Sequence, residues 1–215
     1  MLASLVYKEL RLNINPWSYW WFASVLFLIV PAMPYFIAMD YIVFFFMFLT
    51  QLDKANQDLV FAASLPVSRN QVVTTRMTTV ILIEVMFMIL VIPVALAHYW
   101  LYPTNNPAGM NPNLAFFGLM FMMYATFNLI YLTGTYKKPY RMAWPVVGGA
   151  LISMAAGGLL TSLVVFVPSV AIINDRGMGN LGAQTIVFVA GLIVYAGLTF
   201  LARRKAVSNF SKVDL

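Results

Sequence analysis

The sequence predicts an all-α membrane protein with six transmembrane helices and both termini on the cytoplasmic side. Three observations predict it. Apolar residues make up 62% of the 215 positions and charged residues only 9%, far from the roughly one-quarter charged content of a soluble domain. The apolar residues gather into long runs, most of them near the ~20 residues that a span requires. The thirteen Lys and Arg residues fall, with one exception, in alternate connections between those runs, the asymmetry that orients membrane proteins with basic loops inside.

Composition also sets limits. The chain has no cysteine and one histidine, so disulfides, thiolate metal sites and cysteine nucleophiles are excluded and no metal centre is expected. A net charge of +6 in so apolar a chain reads as cytoplasmic anchoring of the bundle in the bilayer, with no nucleic-acid partner. With about six spans and short connections, residues 1–215 form a single transmembrane domain with no separate soluble domain.

In chain order, "MLASLVYKELRLN" places Leu2, Leu5, Val6 and Leu10 on one helical face with Lys8, Glu9 and Arg11 elsewhere, so residues 1–15 are expected to form an amphipathic helix lying at the interface. The first apolar run, Trp17 to Ile37, is longer than a signal-peptide core and has no small-residue cleavage site after it, and is read as mature protein. Tyr41 to Leu52 is short for a span, but Pro31 and Pro34 end the first helix early and let the second begin near Tyr35. Charge decides whether it crosses: a crossing puts every Lys and Arg except Arg176 on one side, whereas without it they split ten to three. The remaining spans are Thr78 to Trp100, Asn113 to Thr133, Met142 to Val167 and Leu181 to Ala202. Asp40 is expected in a tight outer turn, and His98 in an outer aromatic belt with Tyr99, Trp100 and Tyr102.

Residues 53–76 form the longest cytoplasmic connection. Ala55, Leu59, Ala62 and Ala63 recur at helical spacing within Lys54 to Ser64. The helix cannot pass Leu65, because Pro66 lacks an amide proton and pushes its predecessor out of the helical region. Ser68 and Gln71 then have capping-box spacing, so a new helix begins near Arg69. The pattern is helix, break, helix.

The string "DLVFAASLPVSRNQVVTTRM" at 58–77, preceded by "QLDKANQ", resembles the cytoplasmic loop of permease subunits of type-2 ATP-binding-cassette exporters, with "SLPVSR" its most specific part. The six-span layout, amphipathic N-terminal helix and small outer loops extend the resemblance over most of the chain as architecture. The resemblance implies that Asp58, Leu59 and the residues up to Ser64 are a coupling helix that docks on a cytosolic ABC ATPase subunit, and that Leu65, Pro66, Val67, Ser68 and Arg69 are the elbow to the third span. It also implies a second permease subunit, identical or related. ATP and Mg would be bound by the ATPase, since no G-x-x-x-x-G-K-[ST] loop occurs here and this chain is not itself expected to be an enzyme.

Glu84 is the acidic residue deepest in an apolar run, "TVILIEVMFMIL". Such a group faces either a path or a partner, so it is a candidate gate or else a structural group bonded to Ser, Thr, Asn128 or Tyr on a neighbouring helix. Gly149, Ser153 and Gly157 recur every four residues and are expected to pack two helices closely. The expected function is ATP-driven export, across the plasma membrane, of an amphipathic peptide or hydrophobic toxin or drug. A secondary transporter is the alternative, although no inverted repeat is evident. An intramembrane enzyme fits less well, because clustered His and Glu ligands and paired catalytic carboxylates are missing.

Overall fold

The computed structural model describes residues 2–64, 66–139, 143–176 and 178–213. Among them the regular elements are helical throughout. Helix α1 is Leu2–Leu12, and a 3-10 segment follows at Pro16–Ile29. Then come α2 (Tyr35–Asp40), α3 (Ile42–Ala55), α4 (Asp58–Ser64), α5 (Arg69–Leu101), α6 (Leu114–Lys137), α7 (Ala143–Phe166) and α8 (Leu181–Phe210), with short 3-10 turns before α8. Five helical stretches are long and apolar enough to cross a membrane: Tyr35–Ala55, Arg69–Leu101, Leu114–Lys137, Trp144–Phe166 and Leu181–Phe210.

The first apolar run departs from the expected α-helix. Asn15 caps it by accepting from Trp17 N at 3.0 Å, and Pro16 occupies the first turn, where a missing amide proton costs nothing. From there the chain winds with three residues per turn, and its contacts repeat with that period. Trp21, Ser24 and Phe27 face α2 and α3: Trp21 stacks on Phe44, Ser24 Oγ donates to the Ala38 carbonyl, and Phe27 meets Tyr41. On the adjacent stripe, Phe22 packs edge-on against Phe87 of α5, and the Leu28 carbonyl accepts from His98 Nδ1 at 3.0 Å. Fourteen residues in this form reach roughly 28 Å, against about 21 Å as an α-helix. The segment thus runs beside α5 from the level of Phe87 to that of His98, near the end of that helix.

Pro31 and Pro34 end the segment. Ala32, at φ 59°, makes the reversal, and Tyr35 opens α2. The helix pair α2–α3 is nearly continuous, tightened at Tyr41, whose carbonyl accepts from Phe44 N three residues on. Asp40 is therefore inside the apolar helical stretch Tyr35–Ala55 rather than in an outer turn. The turn lies earlier because the prolines and Ala32 take it, and Asp40 is buried with Ser153 Oγ donating to it at 2.8 Å. His98 likewise departs from the expected headgroup belt: it is buried beneath the first segment, held by the Leu28 carbonyl and the Tyr35 hydroxyl.

Helix α6 is the axis of the remaining bundle, with α7 and α8 against it. Because lipid tails are as apolar as Leu, helices in a bilayer associate by close van der Waals contact, and glycines supply it here. A Cβ on Gly191 would lie 2.1 Å from the Gly118 carbonyl oxygen, and one on Gly118 would lie 2.6 Å from Phe188 Cα. The α6 and α8 backbones touch there. On the other side of α6, Gly157 abuts Met123 and Gly149 abuts the Phe127 ring.

Gly191→Ala forces two backbones apart and should cost about 1–3 kcal/mol or more, seen as a lower thermal unfolding midpoint in detergent. Gly197→Ala, which points into open space, should leave the midpoint unchanged.

Candidate functional site

The end of the bundle where α1, α3, α4 and α5 meet carries the densest charge. Helix α4 starts at Asp58, where a carboxylate suits the helix N-terminus. Lys8 of α1 pairs with Asp58 Oδ1 at 2.5 Å and lies over the Phe61 ring, 5.1 Å from its centre. One lysine thereby holds two successive turns of α4. Ala62 is buried and Leu59 is partly buried, whereas Val60 and Phe61 are 41% and 52% exposed, so α4 turns one apolar edge outward.

Leu65, in the expected elbow, lies outside the described residues. Pro66 and Ser68 are exposed and Val67 is half-buried. Ser68 forms the capping box: Gln71 N donates to Ser68 Oγ at 3.2 Å and Ser68 N donates to Gln71 Oε1 at 2.8 Å. Helix α5 begins at Arg69. Arg69 Nη1 donates to the Phe210 carbonyl at 2.6 Å with its guanidinium over the Phe210 ring, and Arg203 donates to Asn70 and Thr74. The first turns of α5 are therefore bolted to the last turns of α8.

Below this elbow lies a cluster that sequence reasoning missed. Arg76 Nε meets Glu9 Oε1 at 2.6 Å, and its Nη2 meets Asp53 Oδ2 at 2.5 Å. Thr79 Oγ1 donates to the second oxygen of Glu9 at 2.5 Å, and Asn13 Nδ2 to that of Asp53 at 3.1 Å. All three charged residues are at most 5% exposed. Guanidinium geometry suits this site, since its planar fork addresses two carboxylates at once. Helix α1, which the sequence assigned to the interface by Leu2, Leu5, Val6 and Leu10, buries Val6 and Glu9, with Asn13 buried just after it, and leaves Leu2 and Leu12 exposed. The signal available was the spacing of those three residues, which share a helical stripe, and the presence of an acidic group in a chain with seven in all.

The other singled-out residues lie apart from this joint. Glu84 is fully buried. Its Oε2 accepts from Tyr195 OH at 2.6 Å and Asn128 Nδ2 at 3.0 Å, and Asn128 also donates to Thr199, so the group links α5, α6 and α8. A cavity of about 430 Å³ is lined by its neighbours Val85 and Met88, while Glu84 itself turns to α6 and α8. Gly149, Ser153 and Gly157 line one side of α7, the first and last against α6 and the serine bonded to Asp40.

A family profile described as ABC-2 family transporter protein matches residues 4–203. The chain belongs to the ABC-2 transporter family. No curated protein and no solved structure matches it. As an ABC-2 permease this is a multi-pass membrane subunit of an ABC transporter, and membership implies an ABC ATPase subunit as its partner. The charged joint of this ABC-2 subunit joins the N-terminal helix, the connection 53–76 and two membrane helices into one unit.

Removing Arg76 would leave two buried carboxylates facing each other. Arg76→Ala should destabilise the subunit by about 3–5 kcal/mol, and Arg76→Lys, which cannot fork to both partners, should fall between. Lys8→Ala breaks a partly exposed pair and should cost under about 1 kcal/mol. Thermal unfolding in detergent ranks the three.

Proposed function

We propose that this ABC-2 subunit is the membrane half of an exporter that moves an amphipathic peptide or hydrophobic toxin out of the cell, energised by ATP and Mg bound on a separate cytosolic ATPase. The observation that carries the reading is the joint at α4. A short helix exposes Val60 and much of Phe61, is tied to α1 by Lys8 through Asp58 and the Phe61 ring, and passes through a proline and a formed capping box into a helix of 33 residues. A push on α4 reaches α1 through Asp58 and Lys8. It reaches α5 through Glu9 and Arg76, and α8 through Arg69 and Phe210. Such a linkage transmits rigid-body motion, whereas a loop that only reconnected two spans would need a handful of residues.

Six crossings with both termini cytoplasmic complete the reading. In support, the 3-10 segment is roughly as long as the ~30 Å hydrocarbon layer and runs beside α5, and counting it as a span puts every basic residue but Arg176 on one side. On the other side the connections are short and tied together, Asn111 to Asn174 and Asn113 to Ile173 and Asp175. A pair of subunits encloses the path, with apolar faces of α7 and α8 exposed for a partner subunit or lipid. Glu84, held by Tyr195 and Asn128, serves the bundle as a polar clamp rather than a gate.

Expression with the cognate ATPase should yield a complex in mild detergent. Because the chain has no cysteine, Val60→Cys offers a unique thiol that should cross-link to the ATPase. Recovery of the chain without any ATPase, and no cross-link, would refute the docking role. Pro66→Ala with Arg69→Glu should preserve assembly and basal hydrolysis but abolish the substrate-stimulated increment and transport; unchanged transport would remove the elbow from the mechanism. Single thiols at Tyr7 and Lys205 should react with an impermeant reagent only from the cytoplasm, and one at Thr104 only from outside.

A further inference from the structure

We infer that the groove between α2–α3 and α7 is a binding site for small lipophilic monocations, with Asp40 as its charged anchor. The inference rests on the reading of the chain as a permease and deepens it by naming a ligand class. The groove encloses about 300 Å³, the lower end of the range of small-molecule sites. Its walls are Tyr41, Phe44 and Met47 from the α2–α3 side and Leu151 and Met154 from α7, and Asp40 is the one carboxylate that lines it.

Asp40 sits five residues inside the span that begins at Tyr35, roughly 7 Å along the helix. It is 8% exposed. Ser153 donates to Oδ1, and among the described residues no cation pairs with it, the ion pairs being those of Lys8 and Arg76. The contrast with Glu9 and Asp53 is direct, since those equally buried carboxylates share a guanidinium. A carboxylate at membrane depth requires a partner or a cavity, and Asp40 has a cavity. Glu84 differs on both counts, because two donors converge on one of its oxygens and it lines no part of this groove.

The walls suit a cation with apolar bulk. Tyr41 and Phe44 stack on each other at 5.8 Å between ring centres, and Phe44 stacks on Trp21 at 4.5 Å. Tyr41 and Phe44 of this ladder line the groove, and aromatic rings attract cations. Methionine thioethers on both sides adapt to irregular shapes. An inorganic cation would need a shell of oxygen ligands, whereas one carboxylate, one hydroxyl and hydrocarbon offer a single charge contact amid apolar surface. Leu151, 61% exposed, stands at the mouth, so the ligand enters from the side of the bundle.

The test is equilibrium binding of radiolabelled tetraphenylphosphonium to the full chain in lipid nanodiscs, without ATPase, beside the neutral triphenylphosphine oxide. Asp40→Asn keeps an acceptor for Ser153 and should weaken the cation about tenfold or more, leaving the neutral compound unchanged. Leu151→Trp, at an exposed position, should occlude the mouth and weaken the cation without lowering the unfolding midpoint, so the result stands even where Asp40→Asn unfolds. Equal cation affinity in the wild type and Asp40→Asn, or equal binding of cation and neutral compound by the wild type, would overturn the inference. So would a disulfide between copies through Leu151→Cys together with no cation binding, which would assign the groove to a subunit contact. Because no ATPase is present, a chain that couples to ATP hydrolysis yet ignores the cation refutes this site alone.

Discussion

The buried Arg76, with Glu9 on one side and Asp53 on the other, is the interaction on which the end of the bundle where α1, α3, α4 and α5 meet depends. A guanidinium in a low-dielectric setting is tolerable only with its charge matched, and here Nε and Nη2 each meet a carboxylate. Matching it takes one carboxylate from the N-terminal helix and one from the last turn of α3. The chain therefore cannot place α5 without also placing α1, and α1 in turn holds α4 through Lys8. What reads as a peripheral helix becomes the brace of the loop that an ATPase would engage.

Away from that joint the constraints are those of lipid. With no hydrophobic driving force between helices, association depends on how closely backbones approach and on polar groups sharing partners. Gly118 against Gly191 does the first, and Glu84 with Asn128, Tyr195 and Thr199 does the second. Both bind α8 to α6 while leaving much of α7 and α8 apolar and uncovered. Asp40 shares a bond with Ser153 of α7 and also borders the groove between α2–α3 and α7.

Much of the architecture was legible from local rules. Pro66 and the Ser68–Gln71 pair placed the ends of α4 and α5 because a missing amide proton and a capping box act within a few residues. The prolines at 31 and 34 placed the start of α2 for the same reason. The first apolar run was misjudged in form: every residue from Trp17 to Val30 is apolar or small, so a period of three cannot be told from one of 3.6 by hydropathy. Asp40 and His98 were misplaced because a polar residue near a helix end looks the same whether it meets headgroups or a neighbour's hydroxyl or carbonyl.

Composition, charge placement and the punctuation of proline and capping residues were enough to determine a multi-pass helical bundle with a broken helical connection at 53–76, since each of those signals is local or summed along the chain, whereas the family was legible only in the resemblance of residues 58–77. Only the tertiary structure decided which charges are shared. Glu9, Asp53 and Arg76 lie 44 and 23 positions apart in turn, and nothing local in a sequence says that three such groups will be carried to one point by the packing of α1, α3 and α5. The same packing left Asp40 beside a groove, with no cation paired to it among the described residues.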